Sequence, residues 1–170
     1  MANAIKLNEG TAFTFKSTGG SALWTPTSLA SAAGRLSTQL DLGAAPRAKW
    51  YRWVLLLKLA SPSTGQPLRP YLCEASSAAT TYQDAVVGLT DAALVSEVAV
   101  QNGGKLLGPV STQYTTTGFQ CWSGKVRILS RYVTFVLWNQ AGAACGSHTG
   151  ALAHGAPDQV RSPATLLTPS

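Results

Sequence analysis

Residues 131–139 form an almost unbroken run of β-branched and aromatic residues, RYVTFVLWN, which ends at an Asn-Gln-Ala-Gly turn. Such residues fit a pleated, half-buried surface, and the length of the run is typical of a strand rather than a helix. Alternate side chains of a strand point to opposite faces, and both faces of this run are apolar. The pattern therefore predicts a central strand, covered on both sides, in a sheet that packs into a sandwich.

The longest apolar run, residues 49–60, has two unlike faces. One face consists of large apolar side chains and belongs to the core: Tyr51, Trp53, Leu55, Leu57 and Leu59. The other face mixes basic and apolar side chains: Trp50, Arg52, Val54, Leu56 and Lys58. Contiguous exposed apolar patches on soluble proteins usually mark contacts. Two interpretations of the mixed face stay open, because either a second layer of the same chain or a partner subunit would cover it.

Shorter patterns predict the elements around these two strands. Residues 34–42 alternate cleanly and predict a strand with one wet face. Residues 68–74 predict a strand in which Pro70 favours the edge of a sheet, because proline cannot donate a backbone hydrogen bond. Residues 119–129 predict another strand, and the short link to residue 131 leaves room only for a tight bend or for a strand that changes sheets.

Two further patterns predict a helical turn and a hairpin. Thr90 is a suitable cap for a single helical turn at residues 91–94. The Asn-Gly-Gly sequence at 102–104 tolerates positive φ, so it predicts a hairpin between residues 98–100 and 105–110.

The two ends of the chain complete the predicted architecture. Residues 1–16 predict an arm or a first strand, and the small, glycine-rich residues 141–157 predict a flexible loop. Residues 158–167 predict a last strand, at an edge because of Pro163. About eight to ten strands without alternating βαβ units predict an all-β fold, an antiparallel β-sandwich that is jelly-roll-like and forms a single domain over residues 1–170.

The composition agrees with this fold class. Only 12% of the 170 residues are charged and 45% are hydrophobic, and the chain has 16 glycines and 9 prolines. This balance is typical of an all-β protein with many turns. The low charge also predicts that part of the surface is hidden in an assembly.

The formal net charge of +6 is compatible with an acidic partner. The basic residues, however, are scattered singly from Lys6 to Arg161, and only residues 47–52 approach a cluster. A nucleic-acid-binding module should show a basic stripe or basic residues interleaved with aromatic ones. We therefore expect no direct nucleic-acid binding.

The cysteines and the N-terminus indicate where the chain is made. Cys73, Cys121 and Cys145 are odd in number and lack paired spacing, which predicts reduced thiols in a protein made in the cytoplasm. The N-terminus has no long apolar segment, and no stretch approaches the roughly 20 apolar residues of a membrane span. We expect neither membrane association nor export by the general route.

Catalytic and metal-binding patterns are weak. The only histidines, His148 and His154, lie in the glycine-rich segment, and no Gly-x-Ser-x-Gly sequence is present. Cys145 together with these histidines suggests zinc ligands, with Asp158 as a distant fourth, but the spacing fits no standard zinc pattern. The sequence therefore predicts no enzyme, no metal site and no cofactor.

The five tryptophans fall into two groups. Trp53 and Trp138 lie on apolar runs and are predicted core residues, whereas Trp24, Trp50 and Trp122 fall where the chain is half polar. In such places an indole can stack on a sugar, anchor a protein interface or lie partly buried at the rim of the core.

Three stretches together resemble a known group of proteins. They are AIKLNEGTAFTF at residues 4–15, DLGAAPRAKWYRWVLLLKL at 41–59 and KVRILSRYVTFVLWN at 125–139. In that order they are similar to small structural proteins encoded in the head gene clusters of tailed bacteriophages. The resemblance is weak over residues 141–170, where the closing strand of the fold would fall at 164–168. These stretches encode strands and turns rather than a chemical site.

The resemblance implies a head decoration, or cement, protein with a jelly-roll sandwich. Such a protein is made in the host cytoplasm, lies on the capsid exterior of the virion and stabilises contacts between subunits of the major capsid protein. The resemblance also implies a homo-oligomer, a trimer or a dimer. The candidate residues for the oligomer or capsid interface come from the N-terminal arm, from the mixed face and from the basic residue just before it: Ile5, Leu7, Arg47, Trp50, Arg52, Val54 and Leu56.

Two alternatives use the same fold. A carbohydrate-binding or host-adhesion jelly roll would bind a glycan at one end of the sandwich, with Trp24, Trp122 and the loop at 141–156 as the candidates. A tail or head-completion component would also fit the sequence.

Overall fold

The computed structural model describes residues 12–15, 24, 28–44, 50–59, 65–75, 90–94, 96–108, 110–112, 117–145 and 151–154. Within these residues the chain forms eleven strands and one helix. The strands lie in two antiparallel sheets with a shared core between them, so the predicted all-β sandwich is confirmed.

The smaller sheet, called the four-stranded sheet, has the order β1-β11-β4-β9. Its strands are β1 (Ala12–Phe15), β4 (Trp50–Leu59), β9 (Gly118–Arg127) and β11 (Ala151–His154).

The larger sheet, called the seven-stranded sheet, has the order β6-β2-β10-β5-β7, with β3 paired to β10 and β8 paired to β5. Its strands are β2 (Ala33–Leu36), β3 (Leu40–Asp41), β5 (Pro67–Ala75), β6 (Ala92–Leu94), β7 (Gly104–Leu106), β8 (Val110–Ser111) and β10 (Tyr132–Asn139). The helix α1 (Glu97–Gly103) connects β6 to β7.

The strand pairing is nested along the chain. The first strand pairs with the last, β2 pairs with β10, β4 with β9, and β5 with β7 and β8. A long hairpin that is rolled up, so that successive pairs fall alternately in one sheet and the other, produces this order, which is that of a jelly roll. The link between β9 and β10 passes from the four-stranded to the seven-stranded sheet, so of the two predicted possibilities the change of sheets is correct.

The predicted central strand is β10, which lies between β2 and β5. Every residue from 133 to 139 is buried. Val133, Phe135 and Leu137 belong to the core between the sheets, and Val136 and Trp138 belong to a second cluster on the outer side of the sheet. Both faces of this strand are therefore covered, as its sequence predicts.

A β-bulge interrupts the clean alternation of residues 34–42. Leu36 pairs with Val136 and Leu40 pairs with Val133, so one strand has one residue more than the other between these two points. Ser37 fills the break, since its backbone N–H donates to Phe135 O and its Oγ accepts from Phe135 N. Because of the extra residue, the Leu36 side chain lies in the second cluster on the outer side of the sheet, whereas the Leu40 side chain lies in the core between the sheets. The predicted single strand is therefore two short strands, β2 and β3, whose apolar side chains lie on opposite sides of the sheet.

The predicted hairpin around Asn-Gly-Gly is wrong, because residues 97–103 form the helix α1. The Oγ of Ser96 caps the helix by accepting from Val98 N, and Val100 is completely buried against the seven-stranded sheet. Glycine and asparagine are favoured at the C-terminal ends of helices as well as in hairpin turns, so their presence does not distinguish the two.

The predicted helical turn at 91–94 is also wrong. Ala92–Leu94 forms the edge strand β6, which pairs with β2. Asp91 binds Arg35 of that neighbouring strand through both carboxylate oxygens, at 2.6 and 3.0 Å, and this pairing holds the segment extended.

Pro70 does not lie on an edge strand, contrary to its prediction. Its strand β5 has β10 on one side and both β7 and β8 on the other. The Pro70 carbonyl accepts from Leu107 N, and the ladder on that side passes from β8 at residues 67–68 to β7 at 71–73. The proline, which has no N–H to donate, occupies the gap between two short partners.

Part of the segment that was predicted to be a flexible loop, residues 151–154, is the strand β11. Ala151–His154 pairs with β1 on one side and with β4 on the other, and Cys145 forms an isolated bridge to Leu59. The predicted closing strands at 158–167 and 164–168 lie outside the described residues. For residues 12–15, the interpretation as a first strand is correct.

Candidate functional site

The outer side of the seven-stranded sheet is covered by the chain itself. Leu36, Tyr71, Val136 and Trp138 form a cluster there with Val100 of α1, and residues of β6 pack against it. This cover lies on the opposite side of the sandwich from the mixed face of residues 49–60, for which both predicted interpretations stay open.

Glu97 fastens α1 to the sheet beneath it. Its carboxylate accepts from Arg69 Nη1 at 3.0 Å and from the Tyr71 hydroxyl at 2.8 Å. The hydrogen bond to Glu97 outweighs burial and raises the pKa of Arg69, while burial, together with the same carboxylate, raises the pKa of Tyr71. Both groups therefore keep their ordinary charge state, and the cluster is a structural tie between helix and sheet.

Each of the four carboxylates in the described part of the chain has a basic partner. The pairs are Asp91 with Arg35, Glu97 with Arg69, Glu74 with Lys105, and Asp41 with Arg131. All four carboxylates belong to the seven-stranded sheet, to α1 or to the residue that precedes β6.

Glu74 holds the corner at which the chain changes sheets. One carboxylate oxygen accepts from Lys105 Nζ at 2.9 Å, and the other accepts from the backbone N–H groups of Leu129 and Ser130 at 2.8 and 2.9 Å. Burial acts to raise the pKa of Glu74, but these hydrogen bonds outweigh it and lower the pKa. The ionised carboxylate thus fixes the turn between β9 and β10.

The outer side of the four-stranded sheet is open along β9 and at the start of β4. Trp50 is 46% exposed, and the alternate residues Cys121, Ser123, Lys125 and Arg127 of β9 are all exposed. Trp50 pairs directly with Arg127 across the two strands. At these positions, no layer formed by the described residues covers the sheet.

The structure describes the other predicted interface residues only in part. Arg52, Val54 and Leu56 lie in β4 and pair with Lys125, Ser123 and Cys121, but the description covers only their backbone. Ile5, Leu7 and Arg47 lie outside the described residues. Of the predicted interface set, Trp50 is the one whose side-chain exposure is known, and an interface role stays a prediction for all seven residues.

Trp24 and Trp122, the candidate glycan platforms, are buried. Trp24 is 3% exposed and donates from Nε1 to the Arg35 carbonyl, and Trp122 is 8% exposed and donates to the Ser111 carbonyl. Both indoles pack in the core between the sheets. Stacking on a sugar requires an accessible ring face, so the prediction that Trp24 and Trp122 form a glycan-binding platform is wrong. Their half-polar sequence surroundings gave no sign of this, because the covering residues come from elsewhere in the fold.

The residues considered for metal binding are not brought together in the described part of the chain. Cys145 is buried beside Leu59, the side chain of His154 is not described, and His148 and Asp158 fall outside. Among the described residues, no group of three or more histidine, cysteine or carboxylate side chains is placed to hold a metal ion. No helix within those residues is long and apolar enough to cross a bilayer.

The three cysteines are free thiols in two different environments. Burial raises the pKa of both Cys73 and Cys145 to about 12, because a thiolate is poorly solvated in the core. Cys121, in contrast, is exposed on β9.

This difference predicts one fast-reacting thiol per folded chain. At pH 8, a water-soluble aromatic disulfide reagent should modify Cys121 within minutes and should reach all three thiols only after unfolding in guanidinium. The variant Cys121→Ser should remove the fast phase completely. Two or three fast thiols in the folded protein would contradict the burial of Cys73 and Cys145.

No known protein-family model matches the chain, and a search among curated proteins returns no significant match.

Proposed function

We propose that the protein is a structural virion protein that decorates a tailed-phage head. It binds the outer surface of the capsid and stabilises contacts between major capsid protein subunits, as a homo-oligomer that is a trimer or a dimer. It acts through a contact surface rather than through catalysis. The similarity of residues 4–15, 41–59 and 125–139 to head structural proteins supports this function, as does the jelly-roll topology.

The observation that carries the proposal is the difference between the two outer sheet faces. On the outer side of the seven-stranded sheet, apolar side chains of the sheet are buried in a cluster with Val100 of α1. The four-stranded sheet leaves Trp50 and the alternate side chains of β9 exposed. Tryptophan is enriched among the residues that dominate protein interfaces, so an indole that is 46% exposed on the open side of the sheet supports a contact with another protein.

Decoration stabilises a shell by thermodynamic linkage. A protein that binds the assembled shell but not its separated subunits shifts the equilibrium toward the shell. At a free concentration about 100 times the Kd, each occupied site contributes about 2.7 kcal/mol. Because a head has many equivalent sites, these contributions add up over the whole shell.

The test compares shells with and without the protein. DNA-free shells of the major capsid protein from the same phage would be mixed with the purified chain and sedimented. We expect the chain to sediment with the shells at a fixed copy ratio, and the decorated shells to dissociate at a higher temperature. A chain that stays in the supernatant, or decorated shells with unchanged heat resistance, would contradict the proposal. Loss of host attachment with unchanged shell stability would instead favour an adhesion role.

A further inference from the structure

The strands of the four-stranded sheet carry positive charge and no negative charge. Their sequences, AFTF, WYRWVLLLKL, GFQCWSGKVR and ALAH, contain no aspartate and no glutamate. The basic residues of these strands are Arg52, Lys58, Lys125, Arg127 and His154. All four described carboxylates, in contrast, belong to the seven-stranded sheet, to α1 or to the residue that precedes β6. Positive charge is therefore concentrated on one sheet.

The strand register gathers most of these basic residues at one end of the outer face of the sheet. The core residues of β4 are at its odd-numbered positions, so its even-numbered positions lie on the outer face. Arg52 pairs with Lys125 of β9 on one side and with His154 of β11 on the other. Trp50 pairs with Arg127 in the neighbouring row, about 7 Å away along the strands. We call Trp50, Arg52, Lys125, Arg127 and His154 the basic end.

The like charges of the basic end are unfavourable for the isolated chain. Arg52 and Lys125 lie directly opposite each other, and such cross-strand neighbours have Cβ atoms about 5 Å apart. Two like charges at these positions destabilise an antiparallel strand pair. Trp50 is 46% exposed in the next row, and Lys125 and Arg127 are also exposed. A bound group of negative charge would relieve the repulsion, so the pairing of like charges points to an acidic partner.

Apolar residues occupy the centre of the same face. Val54 pairs with Leu152 on one side and with Ser123 on the other, and Leu56 pairs with Cys121. A sheet face that meets only water is polar along its length, whereas a protein interface combines an apolar centre with a polar or charged rim. Phosphates repeat along the whole of a nucleic acid and would meet no charge at this centre. The pattern therefore favours a protein partner over a nucleic acid.

We propose that the outer face of the four-stranded sheet docks on a protein surface that presents a cluster of carboxylates to the basic end and an apolar area to Val54 and Leu56. The inference rests on the proposed function, under which this surface belongs to the outside of the capsid shell. Positive charge in two adjacent rows, those of Arg52 and Arg127, favours a cluster over a single carboxylate. The contact is electrostatic at one end of the face and apolar at its centre.

A second copy of the chain fits this face less well. In a two-fold symmetric contact the same face would meet itself, and no strand of the sheet supplies a carboxylate. In a contact with the other sheet, the four described carboxylates are already bound to basic side chains of their own chain. A different, acidic protein surface uses the charged and the apolar parts of the face together.

The first measurement concerns the chain alone. Arg52→Glu would place a negative charge between Lys125 and His154, so the row of like charges becomes a row of opposite charges. The midpoint of urea unfolding should therefore rise by roughly 0.2–0.5 M, and Arg52→Gln should raise it less. A midpoint that falls in Arg52→Glu would show that the like charges do not conflict and would overturn the inference.

The second measurement is the binding of the same variants to DNA-free shells. Arg52→Glu should weaken binding at least about thirtyfold, because it sets negative charge against the carboxylates of the partner, and Arg52→Gln should weaken it about fivefold. Ser31→Asp is the matched control, since it lies at an exposed position before β2 and changes the net charge by the same amount as Arg52→Gln. This control should bind within about twofold of the unmodified chain.

The salt dependence and the alternative occupants complete the test. Binding of the unmodified chain should weaken by at least about tenfold between 50 and 500 mM NaCl, and Arg52→Gln should lose part of this dependence. Normal shell binding by both Arg52 variants would overturn the inference while leaving the decoration function intact, whereas an unmodified chain that binds no shell at any salt would overturn the function itself. If the variants bind shells normally but lose self-association in sedimentation velocity, the occupant is a second copy. If the chain binds double-stranded DNA and not shells, the occupant is a nucleic acid, and either result would overturn the inference.

Discussion

Replacing Asn139 with alanine should lower the free energy of unfolding by about 3 kcal/mol or more. The Asn139 side chain is completely buried at the end of β10. Its Nδ2 donates to the carbonyls of Leu29, Ala30 and Ala143 at 2.9, 3.2 and 2.9 Å, and its Oδ1 accepts from Ala141 N at 2.9 Å. Alanine would leave these backbone groups without their partner, and each buried group that loses its partner costs about 1–3 kcal/mol.

Urea unfolding, followed by tryptophan fluorescence, measures this loss of stability. Two further variants serve as controls. Asn102→Ala, at an exposed position of α1, should change the stability by less than about 0.5 kcal/mol. Asn139→Asp keeps the shape but replaces the donor with an acceptor that faces carbonyl oxygens, so it should be at least as harmful as alanine. A loss below about 1 kcal/mol for Asn139→Ala would show that water replaces the side chain and that the network is not structural.

Replacing Gly34 with alanine should lower the free energy of unfolding by about 2 kcal/mol. Gly34 pairs across the strands with Trp138, and the indole lies over the glycine. A Cβ atom at position 34 would lie 2.5 Å from Trp138 Cε3 and 2.9 Å from Trp138 Cζ3, which is closer than real Cβ contacts. Since Trp138 is buried beside Val136 and Leu36, the ring has little room to move away, and such overpacking costs about 1–3 kcal/mol.

A double-mutant cycle tests the cause of this loss. If the indole is responsible, Gly34→Ala should cost at least about 1 kcal/mol less in a Trp138→Leu background than in the unmodified chain. Ala93→Val, which enlarges an exposed side chain of the neighbouring strand β6, should change the stability by less than about 0.5 kcal/mol. Equal costs in the two backgrounds would mean that the backbone of β2, rather than the ring, resists the substitution.

The same arrangement occurs in the other sheet. Gly124 pairs with Trp53, and a Cβ atom at position 124 would lie 2.7 Å from the Trp53 Nε1 atom. In both sheets a tryptophan therefore covers a cross-strand glycine that has no side chain of its own to pack. The sequence alone does not predict that these two glycines lie opposite tryptophans, because this pairing depends on the register of the strands.

The strongest sequence signals were read correctly. The alternation in 51–59 predicts five core residues, and all five are buried. The run at 131–139 predicts a central strand covered on both faces, which β10 is. These predictions succeed because an apolar side chain at every second position of a long run can be buried in few ways, and both runs exceed the usual length of a strand.

The weaker signals were decided by partners that are distant in sequence. Residues 97–103 become a helix because Val100 packs on the second cluster and Glu97 binds Arg69 and Tyr71, although Asn-Gly-Gly alone also suits a hairpin. Residues 151–154 become a strand because β1 and β4 offer two open edges to a short, weakly apolar segment. In both segments the local sequence preference for helix, strand or turn is weak, so the tertiary contacts determine which structure forms.

By itself, the sequence determined the all-β class, the two long core strands and the sandwich, because hydrophobic alternation of period two specifies which face each strand buries. Only the tertiary structure decided which outer face stays open. It placed α1 on the outer side of the seven-stranded sheet and paired the four described carboxylates with basic side chains. It also buried Trp24 and Trp122 while leaving Trp50 exposed beside Arg127. The physical reason is that the exposure of a side chain and the pairing of its charge depend on its neighbours in space. In this fold many of those neighbours belong to strands that are far apart in the sequence.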